Sequence, residues 1–207
     1  MVFALAGCGG GGGSGPATFD TQILSDPGFD GDIEQTGTTT FVVTQGMSPT
    51  VQSLFAGIDP VTLTETRAFL DFPLRGPGGV PGNAFIQAAF LEIFITSIQP
   101  AGGTIPVRIE LVAFEPPTLL ASDFSRTQQP PLLFTTIVPP ISPADVGRHV
   151  SVNVTDLMIK AQNLGLSNFQ VRILEDLGVV SAGLIEINDT TGASRGVLAP
   201  LLQVTYF

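Results

Sequence analysis

The chain has 207 residues, 43% of them apolar and 13% charged, and its 18 acidic against 8 basic side chains leave a net charge of −10. That balance repels phosphate backbones and anionic headgroups, so no nucleic-acid partner is expected, and the apolar fraction supports a packed core rather than disorder. One cysteine excludes an intrachain disulfide.

The chain opens on an apolar run ending in Leu5-Ala6-Gly7-Cys8, which resembles the lipobox of bacterial lipoproteins. In that family small residues before the cysteine admit a signal peptidase, and the cysteine becomes the lipidated first residue of the mature protein. Residues 1–7 are then the remnant of a signal peptide. With no basic n-region and an apolar run this short, its start is expected further upstream. The resemblance implies lipidation at Cys8, export, and a membrane partner reached through that anchor, on the periplasmic or cell-surface side. The glycines at 9–13, Ser14 and Gly15 follow at once. They offer no side chains to pack and no Lys to complete a phosphate loop, so residues 8–18 read as a tether and 19–207 as one domain.

Next comes Asp26-Pro27-Gly28-Phe29-Asp30-Gly31-Asp32-Ile33-Glu34. Clustered carboxylates in a glycine-containing loop suit a hard cation, so Asp26, Asp30, Asp32 and Glu34 are candidate ligands for a structural calcium ion. Their spacing fits no EF-hand loop, and the alternative is a solvated acidic turn. No other cofactor is expected.

From residue 36 onward short apolar runs alternate with Gly, Pro, Asn and Asp, the pattern of an antiparallel sandwich rather than of βαβ units. Strands are predicted at 38–44, 51–57, 66–73, 84–98, 105–114, 132–138, 148–154, 168–175, 182–188 and 201–207. Several alternate cleanly. Val107, Ile109, Leu111 and Ala113 share one face and Arg108 and Glu110 the other; likewise Phe169, Val171 and Ile173 oppose Asn168, Gln170 and Arg172. Such strands are expected to be covered on one side only. The run 84–98 is apolar on both parities and should be central. The pairs Glu115-Pro116-Pro117, Gln129-Pro130-Pro131 and Pro139-Pro140 mark long loops. Thr155 is placed to cap one short helix near 155–164, with Gly165 as its stop. The fold class expected is therefore all-β, an antiparallel and jelly-roll-like sandwich.

Four pieces in order are similar to the DNRLRE-type domain, a relative of carbohydrate-binding module family 96 found in secreted and surface proteins. Arg67-Ala68-Phe69-Leu70-Asp71-Phe72-Pro73-Leu74 resembles its early strand, and the apolar run from Ile86 to Ile95 resembles the next. Gly147-Arg148-His149-Val150-Ser151-Val152-Asn153-Val154-Thr155-Asp156-Leu157 resembles the Asp/Asn-Val-Thr strand that leads into a short helix. Ala193-Ser194-Arg195, with the strand from Leu201 to Tyr206, resembles the Ser-Arg loop and closing strand. The resemblance implies a jelly-roll-like sandwich displayed outside the cell, linked to polysaccharide binding or to adhesion. The family's Trp-containing segment corresponds here to 114–133, which holds no Trp.

Catalytic chemistry is poorly served. The only His, His149, sits in a strand pattern with no triad partners, and zinc would find one His and one cysteine destined for lipid. Asp71, Glu92, Glu110, Glu115 and Glu186 could supply a glycosidase pair only if two of them faced one cleft. Arg67 with Asp71, and Arg195 with Asp189, are read as ion pairs. The sugar-stacking rings are scarce too, with 15 Phe but one Tyr and no Trp. The expected function is a non-catalytic surface module for polysaccharide, the alternative a structural or adhesive protein contacting another surface protein or a matrix.

Overall fold

The computed structural model describes residues 17–46, 52–100, 102–114, 118–176 and 182–207. Cys8, the glycines at 9–15 and Glu115 lie outside them. The strands are β1 (Phe19–Leu24), β2 (Gly31–Gln35), β3 (Phe41–Gln45), β4 (Ser53–Ile58), β5 (Glu65–Pro73) and β6 (Ile86–Gln99). They continue with β7 (Val107–Val112), β8 (Leu133–Thr136), β9 (Arg148–Asn153), β10 (Asn168–Glu175), β11 (Leu184–Asn188) and β12 (Leu201–Tyr206). Two helices, α1 (Thr155–Asn163) and the single turn α2 (Arg195–Leu198), interrupt them. Neither is long and apolar enough to cross a membrane.

All pairings between these strands are antiparallel, along the path β1-β12-β6-β11-β4-β5-β10-β7-β8, with β2 and β3 added beyond β5 and β9 beyond β6. The sheet curls over its own apolar face. Leu91, Ile93 and Leu202 from one layer share a continuous core with Leu70, Ile109 and Val171 from the other, the sandwich-like packing that the alternating runs predict. The strand β6 belongs to several neighbours at once, pairing β12 near its start, β9 in its middle and β11 at its end. Its apolar residues are not all covered: Ala89, Leu91, Ile93 and Ile95 are buried in the core, whereas Phe90 on the opposite face is 37% exposed. The corner between layers falls where β4 meets β5 through Gly57 and Thr66. Gly57 has φ +123°, and a Cβ there would stand 2.1 Å from the Gly183 carbonyl oxygen, so only glycine fits this approach.

Three expectations need correction. The outward faces of β10 and β7 are not solvated, because the segment 118–132, with a 3₁₀ turn at Ala121–Phe124, lies across them. The segment's Leu119 and Phe124 join Ile33, Phe69, Val112 and Phe114 in a second apolar cluster. Beside that cluster Arg172 and Glu110 pair at 2.6 Å, both fully buried. Arg67 pairs with Glu65 at 2.7 Å rather than with Asp71, and its guanidinium lies 3.9 Å from the centre of the Phe124 ring. Asp71 instead accepts hydrogen bonds from the amides of Asn168 and Gln170. Finally, Thr155 does not cap α1. The Asn153 carbonyl oxygen of the side chain accepts from the Thr155 backbone N–H at 3.0 Å, and the freed Thr155 hydroxyl accepts from the Ala89 N–H at 2.9 Å. Gly165 ends the helix as expected, in the left-handed region at φ +67°.

Candidate functional site

The stretch read as an acidic loop becomes a strand from Gly31 onward, and this alters what its carboxylates can do. Along one face of a strand, residues two apart are spaced by about 6.5–7 Å, so Asp32 and Glu34 are strung out rather than converging. Asp26 is occupied in a turn, its Oδ1 accepting from the Gly28 N–H at 2.9 Å. Asp30 is buried, and its Oδ1 accepts from the Asp71 N–H at 2.8 Å. Among the described residues no three His, Cys, Asp or Glu side chains come together as a metal-holding group.

Asp32 and Glu34 instead form one wall of an open groove of about 620 Å³. The β2–β3 hairpin presents them with their cross-strand neighbours Thr44 and Val42. The floor comes from β5, where Thr66 pairs with Glu34. The far wall is built by β4 and β11 through Ser53, Phe55 and Glu186, with Gln99 at the end of β6 and Gln52 just ahead of β4. One hydrogen bond ties the walls together, from the Phe55 N–H to Asp32 Oδ2 at 3.0 Å.

The groove's carboxylates are held in place by hydroxyls. Ser53 and Ser97 each donate to Glu186 at 2.7 Å, one to each carboxylate oxygen. Thr64 donates to Glu34 at 2.8 Å. Burial raises the Asp32 carboxyl to about 6, against the lowering effect of the Phe55 N–H and the Thr44 hydroxyl. At the rim Asp59 is held below the usual carboxylate range by the N–H groups of Thr62 and Val61. Among the described residues no Lys, Arg or His lines the groove.

Beyond one end of it lies a second group of acids. Asp30 is pushed well above the ordinary range, chiefly by burial and then by the neighbouring charge of Asp189. Burial raises Asp189 to about 6 although Arg195, with Nη1 at 3.5 Å, opposes the shift; that ion pair is the one the sequence suggested. The Asp189 N–H donates to the Gln52 carbonyl at 2.9 Å, and the Thr190 hydroxyl meets the Gln52 side-chain oxygen at 3.1 Å. Gln52 is thereby held at the mouth of the groove.

Of the carboxylates considered for acid–base work, Asp71 is buried under amides and Glu110 under arginines, and Glu92 does not line the groove. Of that set, only Glu186 lines it among the described residues, in company with Asp32, Glu34 and Asp59. His149 is exposed on β9, its ring edge-on to Phe94 at 5.2 Å, away from these acids. Of the groove residues, the sequence singled out only Asp32, Glu34 and Glu186; the rest, among them Thr44, Gln52, Ser53, Phe55, Asp59, Thr64 and Thr66, were not. The signal that could have found one wall was the alternation Asp32, Glu34 opposite Val42, Thr44; the second half fell in a predicted strand, the first was hidden by the glycine and acids around it. Comparison with known proteins finds no family model that matches the chain and no curated relative similar to it.

Proposed function

We propose that the chain is a non-catalytic lipoprotein, exported and anchored through Cys8, whose sandwich holds a polysaccharide. The observation that supports the ligand class is the groove itself. Its volume of about 620 Å³ suits a few sugar units, and its lining combines hydroxyl, amide and carboxylate groups with the side of one ring, Phe55. Sugar hydroxyls both donate and accept, so they match such a surface without any single dominant contact. A catalytic role lacks support because Glu186 is locked between two serine hydroxyls.

The test is binding of the purified chain to a panel of immobilised polysaccharides. Wild type is expected to bind at least one, and Phe55→Ala with Glu186→Ala to abolish it. Retention by the double variant would place the ligand elsewhere. Failure to bind any polysaccharide, with capture of a matrix or surface protein instead, would favour the adhesive reading. Anchoring is tested separately by metabolic labelling with a palmitate analogue in a bacterial host, where Cys8→Ser is expected to lose the label.

A further inference from the structure

The groove is rich in acceptors and short of donors. Asp32, Glu34, Asp59 and Glu186 only accept when ionised. Ser53 and Thr64 have already given their hydroxyl protons to Glu186 and Glu34, so their oxygens can only accept further bonds. With no cationic side chain in the lining among the described residues, the amides of Gln52 and Gln99 are its main side-chain donors. On the floor stands Thr66, 7% exposed, beside Glu34 in the β2–β5 register. Its hydroxyl lines the groove and has no hydrogen-bonding partner among the described residues. The hydroxyl is not among the sealed, unpartnered polar atoms of the fold; it opens onto the groove and can bond whatever enters it.

We infer that the groove selects an amine-bearing saccharide, a chain of amino sugars with free ammonium groups, with Glu34 and Glu186 reading the charge and Thr66 bonding a sugar hydroxyl. The inference rests on the binding-module reading above and sharpens it. An ammonium brings three donors and the opposite charge to a site that lacks both. N-acetylation removes the charge, and a uronate would place a like charge among four carboxylates. A basic peptide would satisfy the charge but leave the hydroxyl and amide lining without matching groups.

The experiment is calorimetric titration of the full chain at near-neutral pH and low salt with hexasaccharides of glucosamine, N-acetylglucosamine and galacturonate, and with hexalysine. The glucosamine oligomer is expected to bind at least about tenfold tighter than its acetylated counterpart, and galacturonate not measurably. Added salt should narrow that gap. In Glu34→Gln and Glu186→Gln the ratio should fall toward one, and Thr66→Val should weaken both sugars. Galacturonate binding as tightly as glucosamine would overturn the inference and leave the module reading standing. Hexalysine binding tighter than every sugar would reassign the groove to basic peptides. No binding to any saccharide would sink the module reading itself. The wild-type ligand series decides these outcomes even if a variant fails to fold.

Discussion

The two faces of the layer β5–β10–β7 come from the same strands but are held by different forces. On the inner face Leu70, Val171 and Ile109 pack against the other layer in one apolar core. On the outer face the 118–132 segment is fastened through charge. Arg172 donates two bonds to Glu110, one to the Asp123 carbonyl at 2.6 Å and one to the Gln129 carbonyl at 3.1 Å, and Arg67 donates to the Phe124 carbonyl. The contrast teaches where an irregular segment can be buried. Its backbone carbonyls cannot join a ladder, so the sheet beneath must supply donors, and two guanidiniums do so.

The largest break in this comparison is Arg172→Ala. It leaves Glu110 buried without its closest partner and removes two bonds to strap carbonyls, so the expected loss is about 3–5 kcal/mol, read from urea midpoints. Replacing both partners with apolar residues, Arg172→Met with Glu110→Leu, should recover part of that loss, because no uncompensated charge remains. A loss below about 1 kcal/mol for the single variant would show that the strap is not held by this pair.

On the inner face Ile93→Ala should cost about 2–5 kcal/mol as a cavity. Its signature differs from that of the outer face. Trypsin should cut at Arg126 in Arg172→Ala under conditions where Ile93→Ala stays intact, since only the first frees the strap before the whole chain unfolds. Equal cleavage in both variants would mean that strap and core unfold as one unit.

Charge on the inner side is managed less completely. Asp30, Asp32 and Asp189 are all raised by burial, Asp32 and Asp189 to about 6 from an ordinary value of 3.8. A raised carboxyl pKa stabilises the fold fully below the unfolded value near 4, and this contribution is lost as pH rises through about 6. The chain should therefore lose stability between pH 5 and pH 8. Asp189→Asn, neutral throughout, should shrink that loss by about 1 kcal/mol, measured by urea melts at the two pH values. An unchanged pH dependence would show that Asp189 stays solvated.

The inner face was legible in the sequence and the outer face was not. Ten strand runs read from the sequence all became strands, because a half-buried strand writes its burial into a period of two. The strands β1 and β2 were missed; Gly31-Asp32-Ile33-Glu34 carries one apolar residue and reads as a turn, and its pairing with β3 and β5 is long-range. The same blindness hid the strap. Gln170 and Arg172 look like the wet side of a strand, and nothing local says that a segment some 50 residues earlier returns to cover them. The acids of the groove were visible one by one. Their neighbours were not, since Glu34 meets Thr66 and Phe55 meets Glu186 only through sheet pairing.

The smallest expected effect separates the root of the strap from its rim. Arg126 also reaches Glu110, at 2.8 Å, but its side chain is 42% exposed while Arg172 is fully buried. Water already solvates most of what Arg126 would lose, and Glu110 keeps Arg172 when it is gone. Arg126→Ala should therefore cost less than about 1 kcal/mol by urea melts, and amide exchange across 118–124 should stay slow. If it instead rivals Arg172→Ala, the strap is held at its solvent edge, and the buried pair positions the outer face without fastening it.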